Sequence, residues 1–335
     1  MNRNRITISA SNISIGYPKA RNEDKTILHK DFSFNLYEGE LTCLLGENGA
    51  GKSTLLRTLS GLQSPLSGDI LLYGKNISKY KEHELSTLLG LVLTDKTTTG
   101  GLTVSELVGL GRYPYTGFFG KLTSKDYRII EQAMIDVNIA HKSKSYVAEL
   151  SDGERQKVMI AKALAQECPI IILDEPTAFL DVVNRIEIMN LLHNLAIKQN
   201  KTILLSTHDI EISLILADRL WLLGKDKNLI TGVTEDIILS NAINKYIGNS
   251  NVSFDKSSGR FLTKQNTEKE IYLEAEGELR HWTENFLIRN GYKLSNQKAD
   301  ILTIQINSPS AIQVKKHSEI QNLKSFEELY NLIKE

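Results

Sequence analysis

Three features of the 335-residue sequence predict an α/β fold built on a mostly parallel sheet, with an antiparallel β subdomain, a helical subdomain and a small C-terminal α+β module. The first is a set of short, almost wholly apolar runs, LTCLLG, PIIILDE and KTILLSTHD, which suit strands buried on both faces of a parallel sheet. The second is the alternation of these runs with helical patterns from Ile6 to about Tyr246. The third is a change of composition near Asn249, after which about 75 residues carry strand and helix signals of their own.

The elements follow in order. Ile6–Glu40 and SGDILLYGK alternate with a period of two between turn residues, which predicts an antiparallel subsheet. Leu55, Leu56, Leu59 and Leu62 lie at helical spacing after Lys52, with Gly61 as a C-terminal cap. The apolar run Leu88–Leu93 predicts a buried strand that ends in an aperiodic polar tract. From Thr103 to Leu150 the signals are all helical and predict an insert over about 96–150. A capping box, Thr103 with Glu106, opens its first helix; Lys125–Ile139 reads as an amphipathic helix, and so does Gly153–Gln166. NSNVSFDKSSG reads as a linker or loop dividing 1–250 from 253–335. Beyond it, EIYLEA and DILTIQI read as strands. Glu278–Asn290 reads as a helix packed by Trp282, Phe286 and Leu287, and a capping box of Ser325 with Glu328 starts the last helix.

Composition excludes several classes. Lys and Arg total 40 against 40 for Asp and Glu, so no net charge draws the molecule to nucleic acid or to an anionic membrane. Cys43 and Cys168 are the two cysteines; both sit in or beside apolar runs, fit a reducing compartment and form no metal spacing. The N-terminus starts basic, but no apolar h-region follows, and no run of 18 apolar residues spans a membrane.

The chemistry lies in five short pieces. GENGAGKST, Gly46–Thr54, follows a predicted strand and opens a predicted helix, the context a P-loop requires. Gly46, Gly49 and Gly51, with Asn48, let backbone N–H groups turn toward phosphate oxygens, and the helix N-terminus favours anions. Lys52 places a positive charge at the β- and γ-phosphates, and Ser53, followed by Thr54, offers a hydroxyl to Mg²⁺. PIIILDEPT ends a strand in Asp174, placed to hold Mg²⁺, and Glu175, a second carboxylate able to take a proton from an attacking water. LSDGERQK places Ser151 and Gly153 at a helix start, either as an ordinary N-cap or as an anion site with free N–H groups and a hydroxyl. No phosphate within the chain is left for it, which points to a phosphate held by another copy.

Together with AFLD and LSTHD, in this order and spacing, these pieces resemble the ATP-binding subunit of an ABC transporter over about Ile6–Ile247. LSDGE stands for the family's LSGGQ, with Asp152 and Glu154 as departures. The resemblance implies that His208 contacts the γ-phosphate and that Asp181 lies at a dimer interface. It also implies that Tyr17 stacks on adenine, although one tyrosine in a loop is as often a packing residue. The resemblance implies a homodimer with two ATP molecules, each held between Lys52 and His208 of one copy and Ser151 and Gly153 of the other. The partners it implies are an integral membrane permease and, indirectly, a substrate-binding protein, with no nucleic acid. The location it implies is peripheral, on the cytoplasmic face of a bacterial inner membrane.

GLTVSELVGLGRYPYTG and the signature region look like the subfamily serving iron–siderophore, haem and cobalamin uptake. An exporter subunit and a soluble, non-transport ABC ATPase are the competing readings. The family carries a glutamine at the end of the strand that reaches Leu93; counting back from LTV puts Thr94 there. Thr94, Asp95 and a water molecule are the three candidates for its role at the metal. The C-terminal module reads as an accessory, either bracing a dimer or sensing a ligand.

Overall fold

The computed structural model describes residues 5–18, 26–93, 101–117, 120–225, 228–247, 251–263, 269–297, 301–316 and 319–334. Thr94 and Asp95 lie outside them. The chain divides into two compact units, Met1–Gly248 with Lys256–Arg260, and Asn249–Asp255 with Phe261–Glu335.

The larger unit begins with β1 (Ile6–Tyr17), β2 (Thr26–Tyr37), β3 (Leu41–Gly46), α1 (Lys52–Leu59), β4 (Ser67–Leu72), β5 (Lys75–Asn76), α2 (Glu82–Leu88) and β6 (Leu89–Val92). A helical stretch follows, α3 (Val104–Gly109), α4 (Ser124–Asp136) and α5 (Asp152–Ala165). Then come β7 (Ile170–Leu173), α6 (Val182–Gln199), β8 (Thr202–Thr207), α7 (Ile210–Leu216), β9 (Arg219–Leu223), β10 (Ile230–Val233), α8 (Thr234–Leu239) and α9 (Ala242–Ile247).

Two sheets organise this unit. One is antiparallel, in the order β2-β1-β4-β5. The other runs β10-β9-β3-β8-β7-β6, parallel throughout except for the edge pair β10–β9. Every residue of β3, β7 and β8 is buried, as their unbroken apolar runs require. The helix α1 lies between the sheets. Its Leu55, Leu56 and Leu59 share one core with Ile8, Ile13 and Leu36 of the antiparallel sheet and Leu44, Ile172 and Leu204 of the parallel one. Burial of each leucine contributes about 2 kcal/mol. Phe34 and Trp221 close the same core, with ring centroids 4.3 Å apart. Cys43 and Cys168 are fully buried, and burial pushes their thiols up to about 12 and about 11.

The helical stretch is tied together by one buried cation. Arg112 is 2% exposed and follows α3 in a short 3₁₀ segment. Its Nε donates to Asp126 Oδ1 of α4 at 2.9 Å, and its Nη1 donates to Ala165 O and Glu167 Oε2 at the end of α5, both at 2.7 Å. Asp126 Oδ2 also accepts from Thr123 Oγ1 at 2.6 Å and Thr123 N at 2.8 Å, closing a capping box. The Thr123 bonds, reinforced by Arg112, hold the Asp126 carboxyl down to about 2.

The smaller unit contains the hairpin β11 (Val252–Asp255) and β12 (Arg260–Thr263), then β13 (Lys269–Glu274), α10 (Gly277–Arg289), β14 (Tyr292–Ser295), β15 (Leu302–Ser308), β16 (Ala311–Lys316), β17 (Glu319–Leu323) and α11 (Phe326–Lys334). Its sheet has the order β14-β13-β15-β16-β17, with β13 parallel to both neighbours and the rest antiparallel. Leu287 and Leu329 of the two helices and Ile271 and Ile304 of the sheet are 0% exposed in a separate core.

Three expectations need correction. The stretch read as a linker forms a hairpin, because Phe254 and Phe261 pack with centroids 5.2 Å apart across its turn. Trp282 does not pack α10; it is 65% exposed and its ring meets His281 edge-on. The last capping box is only half made. Glu328 N donates to Ser325 Oγ, but the Glu328 carboxylate accepts from Lys324 N.

A carboxyl held below its unfolded value stabilises the fold above the unfolded pKa and loses that contribution as pH falls through the folded one. The Asp126 contribution is therefore expected to be complete above about pH 4 and to fade toward about pH 2. Asp126→Asn is expected to cost about 2 kcal/mol by weakening the charge-assisted bond to Arg112, which keeps Glu167 as a partner, or about 4–8 °C in Tm for a unit of this size. Thermal scans from pH 2 to 7 test this: the variant should lose part of the acid-limb dependence, the rest coming from other lowered carboxyls such as Glu106, Glu154 and Asp181, and an unchanged acid limb would show that Asp126 does not contribute to it.

Candidate active site

The P-loop joins β3 to α1 as the sequence requires. Gly49 and Gly51 take φ values of +80° and +94°, the left-handed region open to glycine at no steric cost. Gly51 is the N-cap of α1 and no side chain caps that terminus, so the first turn presents backbone donors to a ligand. His29 Nε2 meets Ala50 O at 2.7 Å and anchors the loop to β2. Tyr17 ends β1, not a loop as expected, and its hydroxyl lies 3.4 Å from Thr54 Oγ1. Its ring is 51% exposed beside the P-loop helix.

Lys52 is 5% exposed, and its ammonium is caged. Nζ donates to Gly46 O at 2.8 Å and Glu47 O at 3.3 Å, and lies 3.5 Å from Glu175 Oε1 and 3.2 Å from His208 Nε2. His208 Nε2 is also 2.7 Å from Glu175 Oε1. One imidazole nitrogen cannot accept from Lys52 and donate to Glu175 at once. The shorter contact to a carboxylate assigns the proton to Nε2, with Glu175 as acceptor. Burial pushes the Lys52 ammonium down, and the carboxylates of Glu175 and Asp174 oppose that push.

Asp174 and Glu175 follow β7 directly. Asp174 is 9% exposed, its N–H extends the sheet by donating to Val92 O at 2.8 Å, and its Oδ1 accepts from Ser206 Oγ at 2.6 Å. Glu175 has φ +47°, unusual for a residue with a side chain, and its N–H donates to the same Ser206 Oγ at 2.9 Å. The next turn is held by Asp209. Its Oδ2 accepts from Thr177 Oγ1 at 2.6 Å and its Oδ1 accepts from Arg185 Nη1 at 2.9 Å, while Arg185 Nε donates to Leu180 O.

The signature forms a second cluster. Ser151 caps α5, the ordinary N-cap of the two readings: its N–H and hydroxyl both donate to Glu154 Oε2, at 3.0 and 3.1 Å. The Ser151 N–H, followed by its hydroxyl and by Lys142 Nζ 3.3 Å from Glu154 Oε1, holds the Glu154 carboxyl below its usual range. Asp152 is paired loosely with Arg155 at 3.7 Å. A Cβ at Gly153 would approach Asn184 Oδ1 to 2.8 Å, so Asn184 would have to shift. Asn184 in turn is bound by Asp181, whose Oδ1 accepts from Asn184 N at 2.8 Å and whose Oδ2 accepts from Asn184 Nδ2 at 2.9 Å.

The structure thus brings together Lys52, Asp174, Glu175 and His208, with Tyr17 and Thr54 nearby, and separately Ser151, Gly153 and Asp181. Motif reading missed His29, Asn184, Ser206 and Asp209. Ser206 and Asp209 stood inside the quoted LSTHD; the polarity of Ser206 directly after the buried aliphatic residues Ile203–Leu205 was the signal for it.

Comparison with known proteins agrees with this arrangement. The family model described as ABC transporter matches residues 29–178, and that described as Iron ABC transporter C-terminal domain matches residues 268–334. An ABC transporter ATP-binding protein of Methanocaldococcus jannaschii, MJ0873, is 36% identical over 85% of this chain and 97% of its own length. The iron(3+)-hydroxamate import ATP-binding protein FhuC of Bacillus subtilis is 37% identical over 61% of this chain and 74% of its own. The dimeric structure of MJ0796, a bacterial ABC transporter cassette, superposes with a TM-score of 0.59 at 26% identity, covering 68% of this chain and 98% of that one. With a P-loop, a caged lysine, two strand-end carboxylates and a capped signature helix at these positions, the chain belongs to the ATP-binding proteins of ABC transporters.

Proposed function

We propose that this chain is the ATP-hydrolysing subunit that powers import of an iron complex, of the siderophore type, through a separate membrane permease. The observation that carries the reading is the pairing in one chain of the ABC cassette with a C-terminal domain described for iron ABC transporters. No helix among the described residues is long and apolar enough to cross a membrane, which suits a peripheral subunit at the cytoplasmic face. A substrate-binding protein would deliver the cargo to the permease. The smaller unit has its own core and, among its described residues, no cluster of metal-ligating side chains; we assign it an accessory role outside hydrolysis.

The residues divide the work. Backbone donors of Gly49–Ser53 and the Lys52 ammonium take the phosphates, and Tyr17 takes the adenine face. The hard oxygen donors Ser53, exposed in the first turn of α1, and Asp174, at the strand end, would hold Mg²⁺, which would supply positive charge against the phosphates. Glu175 accepts the proton of the attacking water, and His208, hydrogen-bonded to it, orients the carboxylate and faces the γ-phosphate. An incoming γ-phosphate competes with Glu175 for Lys52, so nucleotide binding releases the base toward the water. In a head-to-tail homodimer, Ser151 and Gly153 of the second copy meet the same phosphate. Glu154 places a negative charge beside that contact, and Lys142 compensates it.

Two experiments test these roles. Glu175→Gln is expected to bind ATP normally while hydrolysis falls by about 10²–10⁴-fold, the range of a lost general base; phosphate release at the unaltered rate removes Glu175 from that role. Lys142→Glu, made in the Glu175→Gln background, is expected to weaken ATP-driven dimerisation by roughly tenfold, and Glu154→Gln to restore it. Light scattering across an ATP titration reads both; a dimer indifferent to the charge at residue 142 sinks the compensation.

A further inference from the structure

We propose that Ser206 is a positioning residue that sets the metal-binding carboxylate and the general base against each other through one oxygen atom. It rests on the roles given above to Asp174 and Glu175. Ser206 lies in β8, two residues before His208, and is 0% exposed. The preceding β8 residues Ile203, Leu204 and Leu205 are aliphatic and equally buried. A hydroxyl in such a place is costly unless it is hydrogen-bonded.

Here it is bonded in both senses. A serine hydroxyl has one proton to give and lone pairs to accept with. The proton goes to Asp174 Oδ1 at 2.6 Å, and a lone pair takes the N–H of Glu175 at 2.9 Å. These bonds reach across the pair β7–β8 to two consecutive residues beyond the end of β7. They therefore fix both the direction of one carboxylate and the peptide that carries the other.

The second bond matters because of the backbone of Glu175. Its φ of +47° is rarely adopted by residues with a Cβ and persists only where neighbours impose it. Ser206 supplies one such constraint on its N–H side. On the carbonyl side, Ala178 N donates to Glu175 O at 3.0 Å. With both sides of the residue held, the side chain of Glu175 leaves the backbone in the direction that reaches His208 and Lys52. Ser206 itself touches neither of those groups, so its action passes through Asp174 and Glu175.

The test compares Ser206→Thr with Ser206→Val in the full chain. These side chains have nearly the same volume and shape, but only threonine keeps the hydroxyl, so a packing defect affects both alike. Ser206→Thr is expected to retain most of kcat. Ser206→Val is expected to lose about ten- to a hundredfold in kcat, the scale of a misplaced catalytic group, with KM for ATP little changed. Two readouts lie outside turnover. Binding of a fluorescent ATP analogue in EDTA should be equal in both variants, since the P-loop is untouched. Mn²⁺ affinity in the presence of ADP, read by electron paramagnetic resonance, should be weaker by several-fold in Ser206→Val alone. Equal kcat and equal Mn²⁺ affinity in the two variants would overturn the proposal. Full turnover in Glu175→Gln, measured alongside, would overturn the reading of the base itself, while the Mn²⁺ comparison would still report on Asp174.

Discussion

The site depends on the burial of α1 between two sheets. Leu55, Leu56 and Leu59 are wholly excluded from water there. This burial opposes the cost of a loop that the ligand, not the protein, completes. The loop before α1 holds two left-handed glycines and an N-terminus without a side-chain cap. Left to itself, such a segment would relax or cap itself. The sandwich clamps its C-terminal side, β3 clamps its N-terminal side, and His29 ties down the Ala50 carbonyl between them. The loop between β3 and α1 is thus held open by hydrophobic contacts on its far side.

Charge is arranged with the same economy. Lys52, in the first turn of α1, is caged by two carbonyls and a carboxylate. A buried ammonium without such partners would lose its proton. The carboxylates of Glu175 and Asp174 oppose that loss. At the signature the problem is reversed. Two acids occupy a helix start that the family uses to meet a phosphate, and each stands beside a cation, Lys142 or Arg155. Glu154 also completes the capping box, so its charge stabilises the helix that displays Gly153.

Much of this was legible beforehand for physical reasons. A strand buried on both faces has few polar positions, so β3, β7 and β8 announced themselves as short, mostly apolar runs. A loop that needs positive φ announces itself by glycine, and the first turn of α1 by Lys52 and Ser53. Capping boxes are local; of the two read from the sequence, that at Thr103 formed in full and that at Ser325 only in half. What was not legible depended on partners distant in the chain. Trp282 looked like a core residue from its spacing in α10, but α10 turns Phe286 and Leu287 inward instead. The hairpin of Val252–Thr263 was hidden by its Ser- and Asn-rich composition, because two phenylalanines seven residues apart reveal a pairing only once the turn is made. His29 is one histidine in an alternating strand until β2 is laid beside the P-loop.

The sequence by itself determined the chemistry available to this protein: a phosphate cradle, a strand-end pair of carboxylates, a histidine after a buried strand and a serine at a helix start. Each is set by residues adjacent in the chain, where backbone geometry alone controls direction. The tertiary structure alone decided which of these groups meet. Lys52, Glu175 and His208 come from three separate stretches and converge because β3, β7 and β8 are neighbours in one parallel sheet, with their carboxyl ends on one edge. The same ordering placed Ser206 beside Asp174 and Glu175. Strand order is a property of the whole core, since burying the most apolar strands at the centre is a choice no short stretch can make.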